Sequence, residues 1–307
     1  SALSEVLAEA LGDQGWQVTA EATKGTQENI RRLASGELDF ALANAAINYF
    51  AVRGESGWEQ AYPMRSVMTL APNIALFVTI EGSGIESIAA LKGRRVVLGP
   101  AGAGFDYFLK PILAAHDVTY AELTELHNTQ SGAVTMLADG SADAAFLGGA
   151  VPTASITQAA TSQDIAFVPF DAEAVAELVE KFPFFHHATI PAGTYRNVDV
   201  EFSGLNVGSM QFITSAAQSD DTVYRVTKTI YENRQKVVEK HPAGRAIQAK
   251  NIVRDIGTEF HPGAIRYYRE IGIWPESPSA VEAAETAAAA EPAAAPGDVD
   301  DASSAAE

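Results

Sequence analysis

The chain has 307 residues, 47% hydrophobic and 20% charged, with a formal net charge of −18 and no cysteine. That length and composition suit a globular protein with a sizeable core, and they exclude disulfides, cysteine-based metal sites and a catalytic thiol. An acidic balance without clustered Lys or Arg argues against nucleic acid, and no apolar run reaches the roughly 20 residues that span a bilayer.

Residues 1–11 place Leu3, Val6, Leu7 and Leu11 at helical spacing with no preceding strand or cap. The start therefore reads as a truncation, with any export signal upstream. Residues 17–21 alternate as a strand, 23–36 read as loop then helix, and 39–43 as a buried strand. Two apolar runs within 65–80 are parted by Pro72-Asn73, a crossing between units. A short helix is expected over 85–93 and a strand over 95–98, running through the Gly-rich loop 99–104 into a helix over 105–116. Helices follow at 155–160 and 172–181, with a strand at 165–168 and an irregular stretch at 183–191. Residues 203–214 read as one return strand and 220–240 as one amphipathic helix capped by Asp220. A last helix starts near His261. From Glu276 to Glu307 there is no Lys or Arg, only an acidic Ala- and Pro-rich segment that composition marks as a disordered tail. Alternating β and α elements with short connections give an α/β fold of parallel-rich sheets flanked by helices.

Two stretches, 30–42 and 134–146, are near copies. Leu33, Gly36 and Asp39 have the mutual offsets of Leu137, Gly140 and Asp143, each copy a helix stopped at a left-handed Gly and followed by a strand. A unit used twice suggests two similar lobes facing one crevice, and such sheets take ligands beyond their strand ends.

The loop around Gly102, Ala103, Gly104 and Phe105 joins a strand to a helix, a geometry that aims N–H groups and the positive helix end at an anion. A nucleotide motif would need a small residue where Tyr107 stands, and no Gly-Lys-Ser/Thr occurs. A small-anion site and a purely structural turn both remain. Gly25, Thr26 and Asn29 lie at another helix start, where capping would explain Thr26 equally well. Asn44, Ala45 and Asn48 follow the first repeat strand, and Gly148 and Gly149 follow the second, so both sets are candidates to line the crevice. Asp39 and Asp143 fit turn capping better than a carboxylate pair. His186 and His187, as neighbours in a strand, would face opposite ways and not share a metal. Phe182, Phe184 and Phe185 fit packing better than a ligand cage, and Asn206 fits a polar group at a hinge. No catalytic constellation, cofactor motif or metal site emerges, so an enzyme is not expected.

Residues 23–30, 33–39, 85–99, 137–146, 190–195 and 261–272 together resemble the TAXI class of solute-binding proteins of TRAP transporters, over roughly residues 1–275. The resemblance implies a two-lobed type II periplasmic binding protein fold with a hinge of two crossover strands. Lobe I would be 1–80 plus 203–275, lobe II 81–202, and 276–307 the acidic tail. It adds Tyr195, within the 190–195 match, to the ligand-binding candidates. It also implies a monomeric periplasmic receptor that closes on a small organic anion and delivers it to TRAP permease subunits. The class begins with a strand and Gly-rich loop that precede the first residue here, so part of the site would lie upstream. Its hydroxyl-rich Gly-Ser-Gly-Thr loop is Gly102-Ala103-Gly104-Phe105, and its polar Gln/Ser/Asp cluster is Asn44-Ala45-Ala46. The losses point to a less polar ligand, a monocarboxylate or apolar amino acid, beside the glutamate-like dicarboxylates and 2-oxoacids of the class. A sensor for a membrane kinase and an enzyme on the same fold are the alternatives.

Overall fold

In the computed structural model, residues 2–276 are described, and Ser1–Ile273 form one compact unit. Of the expected acidic tail, 277–307 lie outside the described residues. Helix α1 (Ala2–Gly12) buries Leu3, Leu7 and Leu11. Residues 17–21 are exposed coil instead of a strand: their alternation has no neighbouring strand to pair with among the described residues. Helix α2 (Thr26–Ser35) leads through Gly36 to β1 (Phe40–Asn44), and α3 (Ala45–Arg53) follows without a break. Strands β2 (Met64–Thr69) and β3 (Ile74–Ile80) flank the Pro72-Asn73 crossing.

The helix expected over 85–93 is a single 3-10 turn, Ala89–Leu91, after an irregular segment. Ile85, Ile88 and Leu91 are all buried, and their spacing of three matches the tighter helix, not the α-helix. Next come β4 (Arg95–Val97), α4 (Asp106–Ala115), β5 (Thr124–Leu126), α5 (Gln130–Ala138) and β6 (Ala144–Gly149). Then α6 (Ala154–Ser162), β7 (Ile165–Val168) and α7 (Ala172–Lys181) alternate as expected. The stretch read as irregular contains β8 (His186–Ile190), an edge strand bounded by Pro183 and Pro191. The expected return strand is two, β9 (Phe202–Asn206) and β10 (Met210–Ser215), broken at Gly208, whose φ of 126° is a glycine conformation. The long C-terminal helix is also two, α8 (Asp220–Glu232) and α9 (Arg234–Lys240). Asn233 interrupts it by donating its side-chain amide to the Thr229 carbonyl, and the cap is Ser219 rather than Asp220. Short α10 (Ala249–Ile252) and α11 (Pro262–Glu270) complete the unit.

The strands form two sheets. One is β1-β10-β2, antiparallel throughout. The other is β5-β4-β6-β3-β9-β8, with β7 also on β3. Its β5, β4 and β6 run parallel, while β3 enters antiparallel to them because it arrives from the other sheet. The chain crosses between sheets twice, at 70–73 and 207–209, and the two crossings are laced together. Leu70 N–H donates to Met210 O, Met210 N–H to Ala71 O, and Val207 N–H to Asn73 O.

The sequence repeat is a structural repeat. Gly36 and Gly140 adopt φ of 78° and 76°, and Leu33 and Leu137 are buried beneath them. The Thr214 hydroxyl donates to Asp39 O as the Thr79 hydroxyl donates to Asp143 O. At the other end, Thr26 Oγ1 accepts from Asn44 N–H, and Gln130 exchanges two hydrogen bonds with the backbone of Gly148. In both halves the first residue of the helix is thus fastened to the end of the following strand. Asp39 and Asp143, expected to cap turns, instead reach across the fold: Asp39 Oδ1 accepts from Gln218 Nε2, and Asp143 accepts from the Arg95 backbone N–H and guanidinium.

Candidate functional site

The Gly-rich loop is placed by Phe105, whose ring lies against Phe108 and Phe146. A Cβ on Gly99 would fall 2.3 Å from that ring, so glycine is what lets the loop fold over it. The loop meets the other sheet's elements at α3. Gly104, at φ 82°, is buried so closely that a Cβ would come 2.6 Å from Ile47 Cδ1. Phe50 and Trp58 lie 5.8 and 6.2 Å from the Tyr107 ring, and Gln27 Nε2 donates to the Tyr107 hydroxyl at 3.2 Å. Burial pushes the Tyr107 pKa up, which keeps that hydroxyl neutral. This seam borders a cleft of about 1250 Å³ lined by Gln27, Phe50, the loop, Lys110, Lys181 and Phe182. Asp106, Asp117, Glu125 and Glu177 also line it, and Lys110 is paired with Asp106 at 3.3 Å, so its side chains give no net positive field. The loop's backbone differs: the N–H groups of Gly102, Gly104 and Phe105 donate to no protein acceptor among the described residues.

The sequence-derived candidates fall into two groups. Gly25, Thr26, Asn29, Asn44 and Ala45 adjoin the seam, but several of their polar groups are occupied. Gly25 is the exposed N-cap of α2, and Asn29 donates to Leu42 O while accepting from the Thr23 hydroxyl. Asn44 caps α3 by accepting from Ala46 and Ile47 N–H, and donates to Gly208 O. Ala45 N–H bonds Ser209 O. The second group, Gly148, Gly149, Tyr195 and Asn206, surrounds the start of β3. Gly148 and Gly149 pair with Ala75 and Ile74, and a Cβ on Gly148 would lie 2.4 Å from Ala75 Cβ. Tyr195 is buried and its hydroxyl accepts from Thr153 N–H at 2.8 Å. Asn206, 3% exposed, holds both crossings: its Oδ1 accepts from Asn73 and Gly208 N–H, and its Nδ2 donates to Ser209 Oγ. Phe184 and Phe185 are fully buried, in keeping with packing.

Asn48 leads to Gln211, Thr258, Ser209 and Arg254, which sequence reasoning passed over, and to His186. Its Nδ2 donates to Gln211 Oε1 and Thr258 Oγ1, both at 3.0 Å, beside the crossing. Arg254 donates from Nη2 to Ser209 Oγ at 2.8 Å, and His186 is opposite Asn206 in the β8–β9 ladder. Burial lowers the Arg254 pKa, and burial followed by the Arg254 charge lowers that of His186. The available signal was an arginine inside the apolar run Ile252, Val253, Ile256.

A protein-family model matches residues 1–272, described as the NMT1-like family. The chain belongs to the NMT1-like family. Among solved structures, this NMT1-like chain is similar to the periplasmic aliphatic sulphonate binding protein SsuA from Escherichia coli. That match has 12% identity and a TM-score of 0.42, over 94% of this chain and 87% of the other. The alkanesulfonate-binding protein SsuA from Xanthomonas axonopodis pv. citri, bound to MOPS, gives 15% and 0.43 over 94% and 88%. An ancestral arginine-binding protein bound to arginine gives 16% and 0.45 over 81% and 85%. Likeness at this level carries no conclusion about ligand or partner.

Proposed function

We propose that the chain is an extracytoplasmic solute receptor that captures a small organic anion between two lobes and hands it to a membrane permease of the TRAP type. The observation that carries the reading is the seam itself. Two repeated α/β units are joined by two laced crossings and by packing at α3, and the unpaired amides of the Gly-rich loop sit where one unit meets α3 of the other. Amides at a helix start meet acceptor oxygens of a solute with little reorganisation, and closure around the solute shifts an open–closed equilibrium. Gly102–Phe105 on one side and Thr26 and Gln27 on the other are the groups placed to meet the solute. Delivery to a TRAP permease rests on the motif resemblance.

A thermal-shift screen against amino acids, dicarboxylates, 2-oxoacids, short-chain carboxylates and sulfonates tests the reading. A solute at 100 times its Kd stabilises by about 2.7 kcal/mol, a rise of several degrees for a unit of this size. It should be recoverable unchanged. A flat screen of well-folded protein, or conversion of the solute, would sink the receptor reading.

A further inference from the structure

Four buried side-chain atoms beside the crossings have no hydrogen-bond partner: Arg254 Nε, His186 Nε2, Gln211 Nε2 and Asn48 Oδ1. Asn48 and Gln211 are both fully buried. Native proteins pair nearly all such groups, so a concentration of them in one place calls for an explanation. Two bonded groups lie beside the crossings: Asn48 with Gln211, and Ser209 with Arg254 and Asn206, the last facing His186 across the β8–β9 ladder. Ser209 Oγ accepts from both Arg254 Nη2 and Asn206 Nδ2, so its own proton is left to donate.

Arg254 forms no ion pair among the described residues, although acids outnumber bases 39 to 21 in the chain. Its neighbour Asp255 is exposed and accepts instead from Gly257 N–H. A desolvated guanidinium without a counter-charge is costly to keep. It is also the group best suited to grip a planar carboxylate through parallel N–H donors. The cleft beside the Gly-rich loop supplies no such cation, because its lysines are outnumbered by carboxylates.

We infer that Arg254, with Ser209, Gln211 and His186, is the anchor for the carboxylate head of the captured solute, while Asn48 Oδ1 receives a donor on the solute. A head group with an adjacent N–H or O–H, as in an amino or hydroxy acid, satisfies donors and acceptor together. The inference rests on the receptor reading; it assigns the solute's carboxylate to the crossings and leaves the loop amides to its other polar groups.

The test uses the whole chain with L-glutamate, L-leucine, L-lactate and propionate at matched ionic strength. At least one should bind the wild type, and its Kd should weaken at least 30-fold in Arg254→Met and recover partly in Arg254→Lys. L-lactate should bind more tightly than propionate. In protein labelled with ¹⁵N-arginine, the Arg254 Nε–H signal should shift on adding the bound probe, a measurement that needs no variant to fold. An unchanged Kd in Arg254→Met, or an unmoved Nε–H signal, overturns the anchor and leaves the receptor reading standing. Binding of a non-carboxylate solute alone does the same, and binding of no solute at all removes both.

Discussion

Replacing Asn206 by leucine tests how the two crossings are held. The side chains are close in size, so the change removes hydrogen-bonding capacity and leaves little cavity. Asn206 Oδ1 now accepts from Asn73 N–H and Gly208 N–H, both at 3.2 Å, in a site where the residue is 3% exposed. Leucine leaves both amides unpaired, at about 1–3 kcal/mol each for a buried donor, or roughly 2–6 kcal/mol together. That is a large share of the 5–15 kcal/mol typical of a folded domain. Asn206→Asp keeps the acceptor and, once its carboxyl is protonated, a donor too, so at mildly acid pH it should cost less than leucine, with a desolvation cost added at neutral pH. Urea unfolding followed by circular dichroism measures both, with an unchanged m-value as the check that the denatured state is the same. A leucine variant within about 1 kcal/mol of wild type would mean that water reaches the two amides, and the reasoning would fail.

Gly104→Ala should cost about 1–2 kcal/mol for a side chain at φ 82°, and more while Ile47 is present. In an Ile47→Ala background the extra part should vanish, and equal costs in both backgrounds would refute the contact. Asp143→Asn should cost about 1 kcal/mol, since the Arg95 pair is partly exposed. The Arg95 guanidinium lowers the Asp143 pKa, so this stabilisation is present above the ordinary carboxylate value near 4 and fades as pH falls through the lowered one. The wild type should therefore lose its advantage over the variant below about pH 4 in urea titrations.

Where local chemistry decides structure, the sequence was legible. Gly36 and Gly140 stop their helices as the repeat implied, and Pro72-Asn73 marks a crossing. The misreadings arose where partners decide. Residues 17–21 alternate like a strand but find no neighbour, whereas 186–190 form a strand because β9 lies alongside. The break between β9 and β10 depends on which sheet each half joins, and one apolar run cannot reveal that. The site divides similarly. Gly102–Phe105 announces itself by composition, yet Asn44 and Tyr195 spend their polar groups inside the protein. Arg254 sits beside Asp255 in sequence and looks like an ordinary surface pair; only the fold turns one inward and the other out.

The lacing of the two crossings has a mechanical consequence. Bonds from Leu70, Met210 and Val207 make one short ribbon of what would otherwise be two independent tethers. Such a ribbon flexes across its flat face without breaking a rung, but shearing one side past the other would break all of them. At the crossings a displacement of one sheet against the other is therefore easier as a swing across the ribbon's face, like the turning of a page about a spine, than as a shear along it. A swing of that kind keeps residues that face each other across the two sheets in the same register.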